Sequence, residues 1–121
     1  MAAYSVIDTY DADRRLSGKS ETENVHLADD LGFTEMRPRV WFLEPGHDRK
    51  GRHYHERQEE LYLVLRGEGR MTVDGDDLTV PEGGAVRVPA ETTRRMFNDT
   101  DEETVWLVVG APPIPNDGVQ C

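Results

Sequence analysis

The chain has 121 residues, of which 36% are hydrophobic and 31% charged, and that is enough for one domain with a buried core. A formal charge of -10 argues against nucleic acid or an anionic membrane surface as a partner. Among the 14 basic residues only Lys19 and Lys50 are lysine, and an acidic, lysine-poor exterior of this kind suits concentrated salt.

Met1 to Val6 carry neither the basic start nor the apolar stretch of a secretory signal, and no run approaches the roughly 20 apolar residues that span a bilayer. The single cysteine is Cys121, so no internal disulfide can form. These features lead us to expect a cytoplasmic protein.

In chain order, residues 1–35 read as an N-terminal extension. Tyr4 to Tyr10 is a candidate strand, and the charged stretch from Asp11 to Glu23 reads as loop. Ser20 and Glu23 fit a capping box for a short helix through Leu31, closed by Gly32. A short edge strand from Asn24 to Leu27 is the competing reading, and the sequence leaves both open.

From Met36 the signals sharpen. Met36 to Leu43 is a strand containing Pro38, which points to an edge position or a bulge. Pro45-Gly46 is a turn and His47 to Arg52 a polar loop; strands follow at His53 to His55 and Glu60 to Leu65. Gly67 to Gly69 turns the chain into Arg70 to Val73. Asp74-Gly75 is a two-residue hairpin signal, and Asp77 to Val80 returns. Further strands are expected at Ala85 to Val88, Thr92 to Phe97 and Thr104 to Val109, with residues 111–121 as an extended tail. Short strands with turns every 8–12 residues or so indicate an all-β sandwich or barrel. Leu61 to Leu65 and Val105 to Val109 are apolar on both faces, so their outer faces need cover from more chain or a second subunit. A homodimer is the economical expectation.

The chemistry concentrates at His53-Tyr54-His55 and Glu60. Side chains two apart on a strand share a face, so His53 and His55 can aim at one point. Glu60 opens the next strand and can supply a carboxylate there. Two imidazoles and a carboxylate suit a divalent transition metal and leave positions for water or substrate. Tyr62 shares the face of Glu60 and is a candidate pocket wall or proton donor, with core packing as the alternative.

These residues resemble the cupins, a superfamily of small antiparallel jelly-roll barrels. The first cupin motif is a glycine, five residues, His-x-His, three or four residues, Glu, six residues and Gly. His53, His55, Glu60 and Gly67 match it, while Gly46 is displaced by one position. The second motif is a glycine, five residues, Pro-x-Gly, two residues, His, three residues and Asn. Gly83, Pro89 and Asn98 match it, whereas Glu91 stands at the glycine position and Arg94 at the histidine position. The resemblance implies an all-β, single antiparallel jelly-roll (cupin) β-barrel over residues 36–110. It also implies a site for iron, manganese, nickel or zinc on His53, His55 and Glu60.

Arg94 replaces the usual fourth ligand, and a guanidinium keeps its proton and has no lone pair to give. It either holds an anionic group of a small-molecule ligand or pairs with Glu60 in a metal-free pocket. Arg95 should face the other way, as should Glu59, and His47 in the loop is a distant replacement ligand. Three functions remain open. One is a metal-dependent oxygenase, isomerase or decarboxylase. Another is a non-catalytic binding or sensing module. The third resembles the metal-free sugar-nucleotide epimerases, with His55 and Tyr62 doing acid–base work.

Overall fold

A computed structural model of the chain describes residues 3–17, 22–48 and 51–121. Eleven strands and one short helix are present among them: β1 Arg15–Ser17, β2 Thr22–Val25, α1 Leu27–Leu31, β3 Arg37–Leu43, β4 His53–His55, β5 Glu59–Arg66, β6 Gly69–Val73, β7 Asp76–Val80, β8 Ala85–Val88, β9 Arg94–Phe97, β10 Thr104–Ala111 and β11 Gly118–Gln120. They form two antiparallel sheets, one in the order β1-β2-β3-β10-β5-β8 and one in the order β11-β4-β9-β6-β7.

From β3 onward every connection except the β6–β7 hairpin crosses from one sheet to the other. That hairpin has left-handed backbone at both Asp74 (φ 51°) and Gly75 (φ 83°), as its Asp-Gly sequence requires. The expected closed barrel is not seen: no ladder between described strands joins the two sheets. At the corner between the edge strands β7 and β8, Pro81–Gly84 carries the chain across as a turn, and Pro81 has no N–H to continue a ladder.

The main core lies between the sheets. Trp41, Leu43, Tyr62, Val64, Trp106 and Val108 come from the larger sheet, and Met71, Val80 and Met96 from the smaller one. Each fully buried large apolar side chain contributes about 1.5–3 kcal/mol. Gly69, expected in a turn, starts β6, and a Cβ there would collide with the Trp106 ring and a Val64 methyl.

The opposite face of β3 and β10 carries a second cluster. Val40, Phe42 and Val105 pack there against Val25 and Leu27, with Ile7 and Leu31 at the margin. More chain therefore covers the outer face of β10. The outer row of β5 stays open, with Leu61 41% and Leu65 36% exposed.

The first 35 residues depart from expectation. Tyr4 to Tyr10 is not a strand; Tyr4 and Val6 are exposed, and the Asp8 carbonyl accepts from the Asp11 and Ala12 N–H groups in a turn. Strands form instead at β1, within the expected loop, and at β2, which starts at the end of that loop, reaches into the alternative edge strand and pairs with β3 through Val25 and Val40. Strand and helix follow one another at this point: β2 ends at Val25, His26 caps α1, and Gly32 closes it in the left-handed conformation. Ser20 lies outside the described residues. Pro38 is tolerated because β2 stops opposite Val40, leaving β10 as its one neighbour.

Candidate functional site

The turn Glu56–Gln58 joins β4 in the smaller sheet to β5 in the larger, so the two histidines and Glu60 approach one another across the gap between the sheets. His53, His55 and Glu60 are all buried, and one ligand atom from each lies within 4.8 Å of the others. Of the three, His55 and Glu60 line a cavity of about 500 Å³. His47 is outside this group.

The tautomers follow from the surroundings. His53 Nδ1 lies 3.1 Å from the Gly51 carbonyl, which can only accept, so the ring donates there and carries its lone pair on Nε2. His55 Nδ1 lies 3.6 Å from Asp117 Oδ2, and its Nε2 lies 3.5 Å from Glu60 Oε1. A carboxylate on one side of an imidazole and an acceptor on the other is the arrangement in which a cation is favoured between the last two. The donor set therefore fits a three-ligand divalent ion.

Arg94 is the fourth member. It is wholly buried, with Nε 3.2 Å from Glu60 Oε1 and Nη1 donating to the Thr92 carbonyl at 2.6 Å. The Tyr62 hydroxyl donates to the same Glu60 oxygen at 2.7 Å. Glu60 is thus the hub that imidazole, phenol and guanidinium share. Arg95 and Glu59 face outward, paired with Asp48 at 2.6 Å and Arg87 at 3.0 Å.

Asp117 was not foreseen. Its carboxylate accepts from the N–H groups of Arg57 (3.0 Å) and Gln58 (2.8 Å), which fixes the turn between β4 and β5. Burial raises its pKa, but the Gln58 and Arg57 N–H bonds outweigh that and hold it below the usual carboxylate value. The stretch expected as a tail also adds β11 to β4, pairing Gly118 with His55 and Gln120 with His53. No motif in the sequence marks Asp117, because its partner is backbone 60 residues away.

Asn98 has a structural role. Its amide donates to the Leu43 and Glu102 carbonyls, and its oxygen accepts from Thr100. Glu91, at the glycine position of the second motif, adopts φ 69°, a conformation that L residues reach at a cost.

A cupin domain family model matches residues 39–110. An uncharacterized protein of Methanocaldococcus jannaschii is 28% identical over 68 residues, 56% of this chain and 54% of that one. The chain thus spans about half the length of that curated relative. Among solved structures, a candidate sugar phosphate isomerase from Acidithiobacillus ferrooxidans is 30% identical with a TM-score of 0.70, over 76% of this chain and 60% of that one. A sugar phosphate isomerase of the cupin superfamily from Silicibacter pomeroyi is 25% identical with a TM-score of 0.79, over 88% and 75%. With the family model spanning more than half of the chain and the histidine strand inside the matched segment, this protein belongs to the cupin family.

Proposed function

We propose that this cupin binds a small molecule at a divalent metal held by His53, His55 and Glu60, and that the two sheets are the halves of a jelly roll. The observation that carries the reading is the convergence of three buried donors within 4.8 Å at a ligand-sized cavity. A bound iron, manganese, nickel or zinc ion would supply Lewis acidity toward a ligand oxygen. The chain's own residues do the rest. The Tyr62 hydroxyl donates to Glu60 Oε1 and so orients that carboxylate, and Arg94 offsets its charge. Asp117 orients His55. The isomerase named in Silicibacter pomeroyi makes an enzymatic role the first to assay.

A second reading rests on one distance. With Arg94 Nε 3.2 Å from Glu60 Oε1, the guanidinium can serve as the permanent cation of a metal-free site, leaving His55 and Tyr62 for acid–base work or for binding alone. Elemental analysis of protein purified without an affinity tag separates the two readings. About one equivalent of a divalent ion is expected, lost in the His53→Ala/His55→Ala variant while the fold persists by circular dichroism. Stoichiometric metal in that variant would refute the ligand assignment. No metal in the wild type, even after loading with each of the four ions, would favour the second reading.

We also propose a homodimer that covers the outer row of Leu61 and Leu65 on β5. Light scattering of the wild type and of Leu61→Glu tests it: a monomeric wild type would overturn the proposal.

A further inference from the structure

One side of the cavity is built by β3, which lies two strands from Glu60 in the same sheet, with Arg37 and Glu60 both paired to Gly110 of β10, and its composition runs against that of the molecule. The chain as a whole has 24 acidic and 14 basic residues. The cavity has two arginines, Arg37 and Arg39, and two histidines, His26 and His55, against the carboxylates of Glu60 and Asp117. Both carboxylates are already engaged, Glu60 by Tyr62 and Arg94, and Asp117 by two backbone N–H groups.

The arginines owe their position to strand periodicity. Leu43 and Trp41 point into the core from β3, so Arg39 and Arg37, two and four residues before Trp41, extend the same face toward the opening. The Arg39 guanidinium lies 5.3 Å from the centre of the Trp41 ring, a stacking contact that limits its rotation. Arg37 Nη2 is 3.2 Å from His26 Nε2 and 3.9 Å from Asp29 Oδ1, a carboxylate that Arg15 also engages at 3.2 Å. Asp29 is exposed and is shared by Arg37 and Arg15. His26 lies in the field of Arg39, which is, after burial, the largest cause lowering its pKa.

We infer that Arg37 and Arg39 form an anion subsite that takes the carboxylate or phosphate end of a small molecule whose other end reaches His55 and Glu60. The subsite rests on the reading of this cavity as the ligand pocket, but not on the metal. A planar guanidinium grips either oxyanion through a pair of parallel hydrogen bonds. The role expected of Arg94, the grip on an anionic ligand, passes to β3, because Arg94 is buried against Glu60.

Inorganic phosphate and malonate are the probes, each titrated by calorimetry into full-length protein against chloride at matched ionic strength. Binding should weaken about tenfold or more in the Arg37→Gln/Arg39→Gln variant. It should weaken less in Arg39→Lys, which keeps charge and loses the fork, and stay unchanged in Arg66→Gln, an arginine outside the cavity. Preference for phosphate or for malonate assigns the head group. Chelator-treated protein should bind the anion as the untreated protein does. Wild-type protein that binds neither probe, or binding that survives the double variant and disappears with chelation, would overturn the subsite. Anion binding that depends on the two arginines in a protein that never takes up metal would keep the subsite and dismiss the metal reading.

Discussion

Trp41 and Arg39 are neighbours on one face of β3, and two regions that do opposite work meet at Trp41, which belongs to the core and also lines the cavity. On the core side the space between the sheets is apolar, filled by Tyr62, Val64, Met71, Met96 and Trp106. Around Arg39 it is polar and open, and it holds two histidines and two carboxylates. The first region supplies the burial that stabilises the fold. The second places charges where solvation is poor, and each charge needs a partner. The boundary runs through Tyr62, whose ring packs edge-on against Trp106 at 6.0 Å while its hydroxyl reaches Glu60.

The sharpest way to break this division is at Trp106, which is fully buried in the apolar end. Trp106→Ala should cost about 3–5 kcal/mol of stability by urea unfolding. Its divalent-metal content, measured on folded protein, should match the wild type. A loss of metal in protein that is still folded would mean that the two ends are not separable.

Arg94 tests the boundary from the polar side. Removing its charge with Arg94→Met strands Glu60 in a buried position, and a stranded buried charge costs about 3–5 kcal/mol. A divalent ion should recover part of that loss, because it can take over as the cation beside Glu60. Arg94→His should bind metal more tightly than the wild type by supplying a third imidazole as a fourth ligand. Equal metal affinity in the two variants and the wild type would show that Arg94 does not influence the site.

How much of this was legible in the sequence follows the same division. His53, His55 and Glu60 could be read because their grouping is local: a two-residue strand period and one short turn bring them together. Alternation required that only one of Arg94 and Arg95 face inward, and the place of Arg94 at the histidine position of the second motif pointed to it as the buried one. Asp117 could not be read, since its place depends on a connection that returns after β10 and pairs with β4. The arginines of β3 were passed over for a different reason. The stretch Arg37-Pro38-Arg39 looks like a polar strand end, and only the position of Trp41 in the core shows which face the guanidinium groups share. At the N-terminus, Tyr4 to Tyr10 has strand-like residues, but the edge of β3 is taken by β2, with β1 beyond it.

Glu91 offers a smaller effect with the opposite sign. Its φ of 69° costs a non-glycine residue about 1–2 kcal/mol, and glycine there gives back part of that through a more flexible unfolded chain. Glu91→Gly should therefore stabilise by about 0.5–1 kcal/mol, read as a higher urea midpoint with unchanged metal content. A lower midpoint would mean that the Glu91 side chain makes a favourable contact that outweighs the strain.

The gentlest test uses pH and the last group that separates the two regions. His26 is buried at the mouth, where its Nδ1 accepts from the Asp29 N–H at 3.2 Å and Arg37 Nη2 stands 3.2 Å from its Nε2. A proton added at Nδ1 would displace the bond from the Asp29 N–H, with the Asp29 carboxylate 3.3 Å away as partial compensation. Burial lowers its pKa first, followed by Arg39, with Arg37 and Arg15 adding to the effect and Asp29 opposing it. The folded pKa lies below the unfolded value of 6.5, so the unfolded chain takes up the proton first as pH falls. The contribution of His26 to stability is therefore fully present above about pH 6.5 and is lost as pH falls toward the lower folded pKa. His26→Asn keeps a capping acceptor and removes the titration. Urea midpoints measured between about pH 8 and pH 5 should fall less steeply in that variant than in the wild type. Parallel curves would place the pH sensitivity in another group, and the mouth would then be no more responsive to protons than the apolar end.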